Sequence, residues 1–402
     1  MSRSERVTDW LKANLFRSTA DSIVSVVVGA IALFVLFRIV RFVFVTGRWE
    51  IVETNLSLYV TGAWPDAEMW RLVATVLLAA FVSGLIAGFI ARSREIEAGV
   101  EAVSLSPRAR IIELVVRLWP LLLGLALVLA LTRTVMPVLL VVSAAVAVVL
   151  GRMLGRLLPR RSPPWLAALA VVTLLGVVWL MANGVGLESW GGMLLNIFLA
   201  AFSITLCFPL GVMLALGRRS KYPVVRLLSV GYIELFRGAP LIALLLMVDV
   251  AIGFFLPQSI VPSSPVRAII VFILFTAAYM AEVVRGGLQS VPGGQVEAAK
   301  ALGLSPISTT FRIVLPQALR NVIPAIVGQS ISLFKDTTLA GAAMGLADLL
   351  NSAQASTAQE QFRGQGLIVE SLVFVLFLFW VGAYTMSRES QRLERRLGVG
   401  NR

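Results

Sequence analysis

Glu282-Val-Val-Arg285-Gly-Gly-Leu-Gln-Ser-Val-Pro292-Gly-Gly-Gln295-Val-Glu297-Ala298-Ala299-Lys300-Ala-Leu302-Gly303-Leu-Ser305-Pro306, running on to Ile313-Val-Leu315-Pro316-Gln317, is the stretch on which the reading of the chain turns. It separates two apolar runs, yet it carries the grammar of short helices. Glu297 through Leu302 are strong helix formers, Gly303 suits a left-handed C-terminal cap, Ser305 is an N-cap with Pro306 at the first helical position, and Pro316 can open the next run. The spacing predicts a short helix, a sharp turn and a second helix along a membrane surface, with Ala298, Ala299 and Leu302 on one side. A protruding helix with a small-residue face fits a groove on a soluble partner, and its apolar face is narrow for a helix resting on lipid.

Working outward, the chain is 402 residues long, 58% hydrophobic and 14% charged, with a mean hydropathy of +0.88. A soluble domain has about a quarter of its residues charged. A bilayer core takes about 20 apolar residues per helix, and that window gives about ten spans. They fall near 22–45, 70–91, 111–131, 134–151, 165–183, 192–217, 228–256, 266–286, 317–335 and 367–387. The break at Thr132-Arg133-Thr134 reads as a tight hairpin, and the span 228–256 opens with charged residues. The first span is longer than the roughly 7–15 residues of a signal-peptide core, so it is expected to remain as an anchor. The fold class expected is an all-α membrane protein.

The charge balance is 35 Lys+Arg against 22 Asp+Glu, a formal +13, with no histidine and one cysteine, Cys207. That excludes a Ser-His-Asp triad, a two-His zinc site and an internal disulfide. Basic clusters lie between apolar runs without interleaved aromatics, which argues against nucleic acid. No G-x4-G-K-[ST] phosphate loop occurs. No catalytic residue, metal site or cofactor is expected on this chain.

Lys and Arg mark the cytoplasmic side of spans. Placing the N-terminus inside puts Arg3, Arg6, Lys12 and Arg17 there, followed by Arg92, Arg94, Arg108 and Arg110, then Arg152, Arg156, Arg160 and Arg161. The same side then receives Arg218, Arg219, Lys221 and Arg226, next Lys300, Arg312 and Arg320, and last Arg388, Arg392, Arg395 and Arg396. The opposite side holds little beyond Arg48, Arg71, Arg133, Arg267 and Arg363. Both termini are expected in the cytoplasm, with most of the surplus charge encoding orientation.

The chain reads as an apolar N-terminal extension of about five helices (1–187), a second part richer in polar groups (188–390) containing the loop at about 290–316, and a short cytoplasmic tail (391–402). Ionisable residues inside a membrane are costly and serve as functional candidates. Glu113 with Arg117, Glu234 with Arg237 and Glu282 with Arg285 stand at helical spacing and can neutralise each other. The last two pairs are candidates for a pathway or gate. Asp249 has no partner within a turn, and Asn196, Gln329 and Ser330 are polar positions on apolar helices, either facing a path or joining helices. Lys335 and Asp336, at the exterior end of the ninth span, could meet an amino acid's carboxylate and ammonium, or equally bond each other or a binding protein. Gly84-x3-Gly88 and Gly151-x3-Gly155 read as helix packing.

The order E-A-A-x3-G-x9-I-x-L-P, met by Glu297, Ala298, Ala299, Gly303, Ile313, Leu315 and Pro316, resembles the EAA loop of permease subunits of ABC importers. Tyr232-Ile-Glu234-Leu-Phe-Arg237-Gly-Ala-Pro240-Leu, Ala278-Tyr279-Met-Ala-Glu282-Val-Val-Arg285-Gly-Gly-Leu-Gln, Leu315-Pro316-Gln317-Ala-Leu-Arg320 and Phe334-Lys335-Asp336-Thr-Thr338-Leu resemble the polar amino-acid branch over roughly 190–390. Ala239 departs from the Thr or Val frequent there. The first half, with Trp49, Trp64 and Trp70 in its first exterior loop, is similar in layout to the long permeases of general L-amino-acid importers of Gram-negative bacteria.

The resemblance implies a type I importer permease fold in the C-terminal half and a multi-pass inner-membrane location. It implies import of amino acids, with ATP and Mg on a separate cytoplasmic ATPase present in two copies, a homologous permease partner and a periplasmic amino-acid-binding protein. By it, Glu297, Ala298, Ala299, Leu302 and Gly303 form the helix that couples to the ATPase, with Pro316 closing the motif. Lys300 and Arg312 are further candidates to face the ATPase. The alternative is an ion-gradient-driven secondary transporter, which would use a lone acid such as Asp249 as its ion site.

Overall fold

A computed structural model describes residues 11, 13–97, 123–124, 126, 136–159 and 163–398. Most of the expected span 111–131, the hairpin at Thr132–Thr134, the pair Glu113/Arg117, the cations Arg3, Arg6, Lys12, Arg108, Arg110, Arg133, Arg160 and Arg161, and the end of the tail lie outside the described residues. All regular elements among the described residues are helical. The chain divides into two compact units, Met1–Trp49 and Glu50–Arg402.

In the first unit, α1 (Thr19–Arg41) begins at Ser18, whose hydroxyl accepts from the Asp21 amide, and it buries no residue. It ends in a π-helical turn, Phe42–Thr46. There the Trp49 indole N–H donates to the Val43 carbonyl at 2.8 Å.

The second unit begins with two short helices, α2 (Glu50–Thr54) and α3 (Leu56–Thr61), and three long apolar ones, α4 (Met69–Glu97), α5 (Met136–Gly155) and α6 (Pro163–Ala182). Next come α7 (Gly192–Arg218), α8 (Pro223–Gly238), α9 (Leu241–Phe255), α10 (Ser264–Ser290) and α11 (Gly293–Ala301). A single turn, Pro306–Thr309, runs through a π-helical turn, Thr310–Val314, into α12 (Leu315–Asn321). The chain closes with α13 (Ile323–Asp336), α14 (Thr338–Met344), α15 (Leu349–Ala358) and α16 (Ile368–Leu397).

Five helical stretches among the described residues are long and apolar enough to cross a membrane: Thr19–Thr46, Asp66–Ser93, Gly192–Arg218, Ser264–Ser290 and Ile368–Arg395. The pair α8–α9 makes a sixth if taken together. Two expected spans are broken. The stretch 228–256 bends by 100° between α8 and α9, because Pro240 forces Ala239 to extended backbone (φ −92°, ψ 140°) and the helix ends at Gly238. The stretch 317–335 is interrupted at Val322 (φ −111°, ψ 10°), two residues before Pro324.

The core of the second unit is built on α7 and α10, which run side by side in the same direction. Leu195 and Leu199 share one buried cluster with Ala268 and Phe272, and Cys207 and Ala215 share another with Ala277, Met280 and Val284. Segments from before residue 187 join this core. The Tyr59 hydroxyl on α3 lies 2.8 Å from the Ser356 hydroxyl on α15 and donates to Ser371 on α16 at 2.9 Å. The Trp64 ring packs 5.6 Å from the Trp190 ring. No hydropathy or motif signal marks Tyr59, since its partners are about three hundred residues away.

On α4 and α5 the two small-residue pairs face each other. A Cβ on Gly84 or Gly88 would collide with the Val148 or Arg152 carbonyl, and one on Gly151 or Gly155 with the Phe81 or Leu85 carbonyl. The expected packing role of these glycines is therefore a backbone-to-backbone clasp.

Candidate functional site

Glu282, on α10, is the hub of a charge cluster at the end of the bundle where α7 finishes. Its Oε1 accepts from Arg218 Nη1 at 2.7 Å, and its Oε2 accepts from Arg285 Nη2 at 2.8 Å. Arg237 Nη1 stands 3.7 Å from the same Oε2 and its guanidinium lies over the Tyr279 ring, 5.7 Å from the centroid. Glu234 Oε1 lies 3.4 Å from Arg218 Nη1. Four residues singled out in the sequence thus meet in one cluster, along with Arg218, whose part the sequence reading missed by assigning it only to orientation.

The expected pairing within α8 is corrected by this geometry. Glu234 reaches Arg218 and Arg237 reaches Glu282, because α8 crosses the end of α7, where a Cβ on Gly217 would touch the Ser229 side chain. The Glu282/Arg285 pair forms as expected. The Glu282 side chain is 17% exposed, so Glu282→Gln leaves three guanidiniums with Glu234 as their one carboxylate. We expect a loss of about 2 kcal/mol, below the roughly 3–5 kcal/mol of a fully buried pair. The melting midpoint of the purified chain measures it, and an unchanged midpoint would contradict the hub.

The loop beyond α10 follows its sequence grammar. Gly303 has φ +74°, its amide donates to the Lys300 carbonyl at 2.9 Å, and the Leu304 amide returns to Ala299 at 3.0 Å. The Ser305 hydroxyl accepts from the Ser308 amide at 3.2 Å, and Pro316 stands in the first turn of α12. At 100° per residue, Ala298, Ala301 and Leu302 share one face of α11 and Val296 and Lys300 the opposite one. Burial agrees: Ala298 is exposed and Leu302 is 79% exposed, whereas Ala299 is 1% exposed and Val296 packs on the core. Ala299 therefore faces the bundle, a correction to its expected place beside Ala298 and Leu302. Glu297 is exposed.

The remaining candidates sit towards the other end of α7. Asp249 is not alone: its Oδ1 pairs with Arg267 Nη1 on α10 at 2.9 Å, and the same nitrogen donates to the Asp249 carbonyl at 2.8 Å. A partner 18 residues away is invisible to a search within one helical turn. This pairing removes the lone acid on which an ion-gradient carrier would rest. Lys335 is exposed and Asp336 half-buried at the end of α13. Among the described residues they form no ion pair with each other or with others.

Beside them, Asn196 Nδ2 donates to the Thr337 hydroxyl at 2.9 Å and Asn196 Oδ1 accepts from the Leu349 amide at 2.9 Å. Asn196 thus joins helices, and Ser330 only donates to its own helix, at the Ile326 carbonyl. Asp348 caps α15 through the Asn351 amide at 2.8 Å and receives the Gly341 amide at 3.2 Å. Burial pushes its carboxyl up to about 6 against these hydrogen bonds. Asn196, near the start of α7, and Arg218, its last residue, are roughly 33 Å apart at 1.5 Å per residue. The candidates therefore form two groups at opposite ends of the bundle.

The family profile of binding-protein-dependent transport system inner membrane components matches residues 207–398. The probable glutamine ABC transporter permease protein GlnP of Bacillus subtilis is 36% identical over 208 residues, covering 92% of that protein and 52% of this chain. The chain belongs to that family. This inner-membrane component is also 43% identical over 242 residues to the inner membrane amino-acid ABC transporter permease protein YhdY of Escherichia coli, covering 59% of this chain and 65% of that one. It is 41% identical over 235 residues to the glutamate/glutamine/aspartate/asparagine transport system permease protein BztC of Rhodobacter capsulatus, covering 58% and 54%. The matched region thus spans less than two thirds of the length of those two relatives. A solved amino acid ABC transporter with histidines is 26% identical over 50% of this chain and 90% of its own, with a TM-score of 0.45. The match from 207 to 398 contains both the charge hub and the α10–α12 loop.

Proposed function

We propose that the chain is a permease subunit of an ATP-driven importer that moves amino acids across the bacterial inner membrane. The observation that carries this reading is α11, a helix held out by the turn at Gly303 with Ala298, Ala301 and Leu302 outward, next to the charge hub. Small side chains on a protruding helix let a partner's groove approach closely. In this reading the partner is a cytoplasmic ATPase, present in two copies, which hydrolyses ATP with Mg. This chain supplies no catalytic group or cofactor. The names of the relatives, which speak of amino acids, glutamine, glutamate and aspartate, support the substrate class.

A second permease, homologous but distinct, would complete the path, with residues 188–390 as the permease domain and 1–187 as an extension bracing it. A periplasmic amino-acid-binding protein would deliver substrate at the end holding Lys335 and Asp336. There the Asp336 carboxylate and the neighbouring Lys335 ammonium, which attract each other without closing an ion pair, suit the substrate's ammonium and carboxylate in turn. The hub of Glu234, Arg237, Glu282 and Arg285 would close the opposite, cytoplasmic end, where both termini also lie. The test is uptake of labelled amino acids in a deletion strain complemented with this chain. We expect uptake to vanish when the ATPase gene is removed and to survive an uncoupler while ATP is held constant. Accumulation without any ATPase would overturn the assignment.

A further inference from the structure

A cleft of about 610 Å³ lies between the end of α7, the end of α10 and the inner flank of the α11–α12 loop. Arg219, Lys221 and Lys300 line it, and no acidic residue is among its described lining residues. Arg219 spends one N–H on the Leu288 carbonyl at 3.3 Å, while Lys221 and Lys300 have no partner among the described residues. The wall also includes Thr309, whose buried hydroxyl has no hydrogen-bond partner. Ser220 and Thr310 add two more hydroxyl-bearing side chains, and the rest is apolar, with Leu288 buried, Leu304 half-buried and Phe311 exposed.

The cations lie off the face of α11 that presents Ala298 and Leu302: Arg219 and Lys221 follow the end of α7, and Lys300, exposed, stands on the opposite flank of α11. Their level is that of a membrane surface, since α7 and α10 are long enough to cross and end at Arg218 and Ser290. A free phosphate would use the cations and the hydroxyls of Ser220, Thr309 and Thr310 but leave the apolar wall of Leu216, Leu288, Leu304 and Phe311 unused. An amphiphile with a negative headgroup uses both, and basic pockets at the ends of membrane helices recognise such lipids.

We propose that this cleft binds one anionic phospholipid, its phosphate held by Arg219, Lys221 and Lys300 and its upper acyl chains against Leu288, Leu304 and Phe311. The bound lipid would fasten the inner flank of the α11–α12 loop to the leaflet, so that lipid composition affects how firmly α11 is held. The proposal needs neither the substrate nor the coupling role assigned above.

The test uses the full chain, purified with whatever subunits accompany it, in nanodiscs of phosphatidylcholine containing phosphatidylglycerol, with bound lipid counted by native mass spectrometry. We expect one phosphatidylglycerol per copy to survive mild activation, and the Lys221→Gln/Lys300→Gln double variant to hold it roughly thirtyfold more weakly. The Arg312→Gln variant, which alters a loop cation outside the cleft, should retain it. Equal retention in wild type and double variant would overturn the proposal, as would equal retention of phosphatidylcholine. Binding of inorganic phosphate without any preference for phosphatidylglycerol would identify an ion site and refute it. Loss of an accompanying ATPase from the double variant with lipid retention unchanged would reassign the lysines to that partner.

Discussion

On the proposed permease role, Ala298→Trp is expected to cut amino-acid uptake at least tenfold while the chain remains folded in the membrane, whereas Ala299→Trp removes the folded chain. The two positions are adjacent and chemically identical, and only their facing on α11 separates them. Ala298 points away from the bundle, so an indole there meets nothing in the chain and obstructs only what docks on the helix. Ala299 is 1% exposed, and an indole there must displace its neighbours, at a cost of about 3 kcal/mol or more. Uptake, amount of chain in the membrane fraction and co-purification of the ATPase together check this. We expect at least a tenfold fall in uptake and loss of the ATPase for Ala298→Trp at normal membrane levels. Wild-type uptake by that variant would remove α11 from the coupling role.

A comparable effect on stability is expected at the crossing of α4 and α5. Gly88→Leu and Gly151→Leu each set a side chain against a carbonyl of the facing backbone, which cannot rotate away as a side chain can. The helices must separate along the whole crossing, losing the close contact that small residues permit between membrane helices. We expect each variant to lose about 3 kcal/mol or more, read as a collapse of the melting midpoint in detergent. Gly176→Leu is the comparison: it lies on α6 with open space around it, and its midpoint should move by less than about 1 kcal/mol in equivalent stability. Equal behaviour of the three variants would show that the clasp does not hold the pair.

Legibility in the sequence followed the range of the interactions concerned. The turn at Gly303, the Ser305 cap and the place of Pro316 were readable because each depends on backbone conformation and hydrogen bonds within about one helical turn. The apolar runs 19–46, 66–93, 192–218, 264–290 and 368–395 were readable because a span needs only length and composition. The run 228–256 misled for the same reason: hydropathy averages across Pro240, and the average does not register that the residue before proline leaves the helix.

Of the candidate site, the sequence by itself determined the membrane-spanning helical character, the capped helix of the loop and the residue types in play. Tertiary structure alone decided which of them meet. Glu234 prefers Arg218 to its own helical neighbour, Asp249 finds Arg267, and Ala299 turns in while Ala298 turns out. Ion pairs and burial are set by atoms that come within a few ångströms across helix crossings, where the partner is 16, 18 or 64 residues away. Nothing in the local pattern of a chain encodes a distance of that kind until the helices have packed.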